Sequence, residues 1–214
     1  RDALRSIAKS KGLSYRHESA VMDGVPIFSF WERIMPGAKL LRVEGVLNAT
    51  TNMIMSRMEL EGETFEEALA VAQRDGIAEA DPSNDIDGID ATFKLVALCN
   101  VLMGQKIRPN DVKREGIRNI TPKMIQEAKA EGTRYRLVCS AERLDDDRGS
   151  VDARVELRRV KLESPFAALQ GASSAVVFVT DVLGPVTLTS TDPTTKDTAY
   201  GLLSDSLIAL SDAQ

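Results

Sequence analysis

Between Gly76 and Lys94 the chain gathers Glu79, Asp81, Asp85, Asp87 and Asp90 into one loop and the helix start behind it, then supplies a single cation, Lys94, four residues after Asp90. A carboxylate and an ammonium at i and i+4 stand on one helix face, close enough to share a proton or a ligand. On a solvated helix such a pair is only an ion pair, worth roughly 0.2–0.5 kcal/mol. Here the neighbouring residues Ile89, Ala91, Phe93 and Leu95 leave little polar face. A charged pair in such company points to the lining of a cleft. Calcium binding is the first rival for so many acids. Aligning the glycine of a D-x-[DN]-x-[DN]-G-x5-E loop on Gly88 places Asp85 and Asp87 correctly, but puts Ser83 at the first ligand and Lys94 where a bidentate Glu is required. The calcium pattern therefore fails at its most important position.

The elements that must position these groups follow from periodicity. After the Pro82/Ser83/Asn84 turn signal, apolar residues from Ile89 to Leu102 recur at near-helical spacing, predicting a helix over 86–103 that stops at Gly104 and is capped by Asp85 or Asp87. Thr64-Phe65-Glu66-Glu67 is a capping-box pattern and opens a helix over 65–75 that Gly76 ends. Lys39 to Leu47 reads as a strand, with Asn48 to Thr51 as its polar exit and a helix over 52–61. Earlier in the chain, residues 1–11 read as an amphipathic helix without a starting cap, taken as a chain that begins mid-fold. Residues 13–20 read as a strand, and Pro26 opens a helix over 27–35. Further on come a short helix over 109–115, a helix over 123–131 started by Thr121-Pro122, and strands over 134–144 and 150–161 joined by a turn at Asp145–Gly149. Strands over 174–183 and 186–189 follow, and then a last helix over 196–210 that carries Ala199, Leu202, Leu203, Leu207 and Leu210 inward.

Composition narrows the classes. The 214 residues are 43% hydrophobic and 28% charged, with a net charge of −5 and no basic run, so nucleic acid is not an expected partner. No apolar run reaches the ~18 residues that a membrane span needs, and the N-terminus is no signal peptide. Cys99 and Cys139 give neither metal spacing nor a disulfide framework and read as core residues of a soluble, reducing, cytoplasmic setting. The 14 glycines are never fewer than eight residues apart, which rules out G-x-G-x-x-G and the G-x-x-x-x-G-K phosphate loop within this sequence. His17 is the single histidine and there is no G-x-S-x-G, so Ser/His/Asp hydrolysis is poorly supported.

Several runs resemble homoserine dehydrogenase: Gly45-Val46-Leu47-Asn48-Ala49-Thr50-Thr51-Asn52, residues 68–76, and above all Ile77 to Pro82 through Asp87-Gly88-Ile89-Asp90 and Lys94. His17 to Pro26 and Thr198 to Asp205 extend the likeness over nearly the whole chain. The resemblance implies an α/β (α+β) fold with a mixed sheet covered by helices, and a C-terminal helix that returns to a Rossmann domain absent from this sequence. It implies three segments: 1–24 as a connection from that nucleotide-binding domain, 25–189 as a catalytic and dimerisation domain, and 190–214 as a helix that packs on the nucleotide-binding domain.

For the chemistry, the resemblance implies reduction of aspartate 4-semialdehyde to homoserine with NADP or NAD, in threonine and methionine biosynthesis, by a homodimer. Lys94 would exchange a proton with the C4 oxygen, Asp90 would bind and orient that oxygen, Glu79 would take the substrate amino group, and Gly76 would lie near the cofactor. A monovalent cation, Na or K, would sit at Glu18, Val21, Asp23 and Val25, mostly on backbone carbonyls. Hydride transfer to an aldehyde leaves an alkoxide, so a positioned cation with a proton to give fits the step independently. One departure stands out: the family's glycine-rich run before the last helix is replaced by Ser190-Thr191-Asp192-Pro193-Thr194-Thr195, whose Asp192 and Pro193 cannot imitate glycine. The expected reading is the substrate-binding and catalytic part of such an enzyme, inactive without its Rossmann domain. The alternative is a non-catalytic small-molecule or cation-binding dimer descended from the family.

Overall fold

In the computed structural model, which describes residues 2–146 and 149–212, the elements run in the order α1 (Asp2–Ser10), α2 (Ile27–Ile34), β1 (Leu40–Val46), α3 (Ala49–Leu60), α4 (Phe65–Arg74), α5 (Ser83–Ile86), α6 (Ile89–Leu102), β2 (Lys113–Arg114), α7 (Pro122–Ala130), β3 (Thr133–Arg143), β4 (Val151–Lys161), β5 (Ser174–Thr180), β6 (Val186–Ser190) and α8 (Thr195–Asp212). Chain contacts group them into two units: residues 37–192, and the residues up to Pro36 together with those from Pro193 onward.

In the larger unit one six-stranded sheet has the order β2-β4-β3-β1-β5-β6. Its pairs are antiparallel except β2 with β4, so the sheet is mixed, as the sequence leads one to expect. The β3–β4 hairpin sets the register over its whole length, from Thr133 opposite Lys161 to Arg143 opposite Val151. Leu144 N–H closes it onto Ser150 O at 2.9 Å. Of the turn expected at Asp145–Gly149, Asp147 and Arg148 lie outside the described residues.

Strand alternation assigns the faces. The Cys139 thiol reaches Ala91 O of α6 at 3.6 Å, so odd positions of β3 face α6. Val138 therefore points to the opposite face. There it joins Val46, Val160, Ala175 and Val177 under Phe166, Ala167 and Leu169 of the β4–β5 connection. That connection is held from below by Arg136, 1% exposed, which donates to the carbonyls of Phe166, Ala167 and Leu169 and pairs with Glu59. Burial lowers the pKa of Arg136 while Glu59 opposes the shift. Removing Glu59 would leave the Arg136 guanidinium buried without its counter-ion, which costs about 3–5 kcal/mol, whereas Glu59 without Arg136 keeps its ion pair with Arg134 at 2.8 Å.

Two sequence-visible caps form as expected. Thr64 and Glu67 make the reciprocal capping box, with Thr64 N–H to Glu67 Oε2 at 2.8 Å and Glu67 N–H to Thr64 Oγ1 at 3.3 Å. Thr121 Oγ1 accepts from Met124 N–H at 3.2 Å.

Several expectations are corrected. The helix expected over 86–103 is two pieces, α5 and α6, because Gly88 adopts a left-handed conformation (φ 72°) and serves as the N-cap, so neither Asp85 nor Asp87 caps it. The helix placed at 52–61 starts three residues earlier, at Ala49, because Asn48 caps it. Residues 13–20 form no strand: Glu18–Ala20 is a single 3-10 turn. The short helix expected over 109–115 is a 3-10 turn at Pro109–Asp111 followed by β2, since Glu115 N–H bonds Val155 O at 2.8 Å and draws the segment to the sheet edge. The strand expected over 174–183 ends at Thr180, whose hydroxyl accepts from Leu183 N–H and so turns the chain.

In the smaller unit, α8 runs as expected but its apolar residues do not point inward: Leu202, Leu203, Leu207 and Leu210 are all more than half exposed. The side that packs on the Glu18–Ala20 turn is small and polar. Ser19 Oγ donates to Thr198 O at 3.0 Å and Thr198 Oγ1 to Asp23 Oδ1 at 3.1 Å, Asp205 Oδ2 accepts from Glu18 N–H at 2.8 Å, and Gly201 is the buried position of the helix.

Candidate active site

The chemistry-bearing residues meet at the carboxyl end of β1. Leu47 and Asn48 leave the strand, and Asn48 at once becomes the N-cap of α3, its Oδ1 accepting from Thr51 N–H at 2.9 Å. Its amide then has two N–H groups to place. One goes to Asp85 Oδ1 at 2.6 Å and the other to Asp90 Oδ2 at 2.9 Å. Both N–H groups and the oxygen of this 4%-exposed side chain are engaged in joining α3, α5 and α6.

Asp90 and Lys94 form the expected i,i+4 pair, Nζ to Oδ2 at 3.0 Å, and Lys94 Nζ also donates to Leu47 O at 2.9 Å. An ammonium has three N–H groups; the third has no partner among the described residues. The pair keeps 34% (Asp90) and 25% (Lys94) of its side-chain surface accessible. An exposed i,i+4 pair would be worth ~0.3–0.5 kcal/mol, too little to account for an arrangement that also uses a buried Asn and a strand-end carbonyl. The geometry holds a cation and a carboxylate at fixed positions, with one donor unused among the described residues.

The loop beneath is braced from the other side. Ile117 N–H donates to Ile86 O at 2.8 Å, and Arg118 grips Asp87 with the Nε–Nη2 edge of its guanidinium, one contact at 2.9 Å. A Cβ on Gly116 would lie 2.2 Å from Ile86 O, so only glycine permits this approach. The Arg118 hydrogen bonds hold the Asp87 carboxyl below its ordinary range. The Ser83 side chain, and after it the Ser83 N–H that Asp81 accepts from at 3.1 Å, hold the Asp81 carboxyl below its ordinary range.

Glu79 is exposed on the segment between α4 and α5. Gly76 ends α4 at φ 74°, its N–H on Gln73 O at 3.1 Å, and a Cβ there would meet nothing within 4 Å. In the smaller unit Val21 is fully buried and Asp23 lies in the left-handed region (φ 54°). The Glu18 carboxylate is taken by the start of α2: it accepts from Phe28 N–H at 2.6 Å, Ser29 N–H at 2.9 Å and the Ser29 hydroxyl. Val25 O accepts from Ile27 N–H at 2.8 Å. Among the described residues no three His, Cys, Asp or Glu side chains converge as a metal site. The Ser190–Thr195 run offers no amide cradle, since Asp192 N–H is used by Ser173 Oγ at 3.2 Å and Asp192 itself holds a left-handed φ of 44°. These residues do not fit a dinucleotide phosphate.

Sequence reasoning missed Asn48 as a site residue, and it gave Asp85 only a helix-capping role. The signal was present: an Asn directly after a β-rich run, followed by Ala-Thr-Thr, is an N-cap position.

A mixed six-stranded sheet backed by helices defines an α+β domain. The homoserine dehydrogenase family model matches residues 26–207. The chain belongs to the homoserine dehydrogenase family. An NAD(+)-dependent homoserine dehydrogenase of Pseudomonas canavaninivorans is 35% identical over 202 residues, covering 94% of this chain and 56% of that protein. The crystal structure of a homoserine dehydrogenase from Thiobacillus denitrificans superposes with a TM-score of 0.91 at 28% identity, over 100% of this chain and 50% of that one. A hyperthermophilic archaeal homoserine dehydrogenase mutant in complex with NADPH gives 0.80 at 31% identity, over 98% and 60%. This chain thus spans about half the length of the relatives it matches.

Proposed function

We propose that this chain is the substrate-binding and proton-exchanging part of a homoserine dehydrogenase that interconverts L-homoserine and L-aspartate 4-semialdehyde, a step toward threonine and methionine. The observation that carries the reading is Lys94, fixed by Asp90 and Leu47 O with one N–H to spare. Oxidation of the C4 hydroxyl removes a hydride and a proton; NAD or NADP, when bound, accepts the hydride and in reverse supplies it. The proton is the business of this chain. Lys94 gives it to the oxygen in reduction and takes it back in oxidation, and a positioned acid/base of this kind contributes typically 10²–10⁴-fold. Asp90 orients the oxygen beside Lys94, and the Glu79 carboxylate takes the substrate ammonium. Asn48 keeps Asp90 and Asp85 in place.

Dinucleotide binding is assigned to the part of the relatives that this chain does not span, with Gly76 bordering it. The monovalent cation (Na or K) at Glu18, Val21, Asp23 and Val25 is proposed on the family resemblance, with ligation by main-chain carbonyls because the Glu18 side chain is committed to α2. A homodimer and a cytoplasmic location are carried over in the same way. No helix among the described residues is long and apolar enough to cross a membrane.

The test is homoserine-dependent reduction of NAD and of NADP, measured on this chain and on the complete product of its gene. Turnover by the complete product alone is expected. Absence of turnover with either cofactor would overturn the reading.

A further inference from the structure

The Glu79 carboxylate makes no hydrogen bond or ion pair with another described residue, so the backbone alone decides where it points. That backbone is held on both sides. Before it, Ile77 and Ala78 N–H both donate to Ala72 O at 2.9 and 3.0 Å, and the Thr50 hydroxyl donates to Ile77 O at 3.1 Å. After it, the side-chain amide of Gln73 in α4 donates to Glu79 O at 3.1 Å and Ala80 O at 3.2 Å. A peptide unit is planar, so fixing its carbonyl fixes the plane. The planes at 77–78, 79–80 and 80–81 are then set on both sides of Glu79, and the one that follows it directly is the one Gln73 holds.

We propose that Gln73 is a positioning residue for substrate binding: it aims Glu79 by locking two successive peptide carbonyls, without touching the substrate. The proposal rests on the reading of Glu79 as the group that takes the substrate ammonium. A residue with this role affects substrate affinity, since it does not meet the reacting oxygen. Sequence patterning carries no sign of it, because Gln73 is an ordinary helix residue one turn before a Gly C-cap.

The experiment uses the complete gene product and compares Gln73→Met, similar in length but without N–H donors, with Glu79→Ala and with the double variant. In Gln73→Met the KM for homoserine is expected to rise roughly tenfold, the size of one lost hydrogen bond. kcat should stay within about twofold and the KM for the nicotinamide cofactor should not change. Because Gln73 acts through Glu79, the double variant should show the homoserine KM of Glu79→Ala alone. An unchanged KM in Gln73→Met, effects that add in the double variant, or a fall in kcat and cofactor affinity together would overturn the proposal. Homoserine turnover by the unaltered protein is read first: its absence would remove the reading of Glu79 and this inference with it. Turnover with a silent Gln73→Met would remove this inference alone.

Discussion

Asn48 serves two structures with one side chain. Its oxygen caps α3 and its nitrogen ties Asp85 and Asp90 together. Truncation to Ala should cost about 1 kcal/mol for the cap alone, and should free two carboxylates that otherwise repel each other at the loop. We therefore expect Asn48→Ala to lower the melting temperature modestly while reducing kcat/KM for homoserine roughly tenfold or more, one lost charged hydrogen bond being enough for that. Calorimetry and steady-state kinetics on the same samples check both. A stability loss with intact kinetics would mean that Asn48 is a cap and nothing else. At this scale the sequence was legible where spacing alone decides proximity: Asp90 and Lys94 meet because i and i+4 must. It was silent on Asn48 with Asp85, a pair 37 residues apart that only the β1–α3 corner brings together.

Elements were legible wherever a local signal sets them. The capping box at Thr64, the Thr121-Pro122 start and the β3–β4 hairpin all stand where pattern reading puts them. The failures have tertiary causes. The 109–115 segment joins a strand edge that its own sequence does not announce, and Gly88, in the left-handed region, moves the start of the helix expected from residue 86 to Ile89. The same neighbourhood carries a pH prediction. Arg118 hydrogen bonds hold the folded-state pKa of Asp87 below its ordinary value. A depressed carboxylate contributes stability that is present above the unfolded-state pKa and lost as pH falls through the folded one. Arg118→Met should thus lower the melting temperature slightly near neutral pH, and the difference from the unaltered protein should shrink below about pH 4, where the unfolded carboxyl begins to take up its proton. Since the pair is partly exposed the effect is small and falls with added salt. A difference that stays constant down to about pH 2 would contradict the assignment.

At the scale of the whole molecule, α8 shows where amphipathic reading goes astray. Its leucines have the spacing of a core face, yet the side that meets the Glu18–Ala20 turn is Thr198, Gly201 and Asp205, and Leu202, Leu203, Leu207 and Leu210 stay exposed. Periodicity reports that a helix has an apolar face without saying what covers it. The central claim remains the proton chemistry of Lys94, and one comparison reaches it most directly: homoserine-dependent nicotinamide reduction by the complete gene product and by its Lys94→Met variant, with homoserine binding measured on both. We predict that the variant binds homoserine and loses about 10³-fold in kcat. Turnover by Lys94→Met at the unaltered rate would contradict the account.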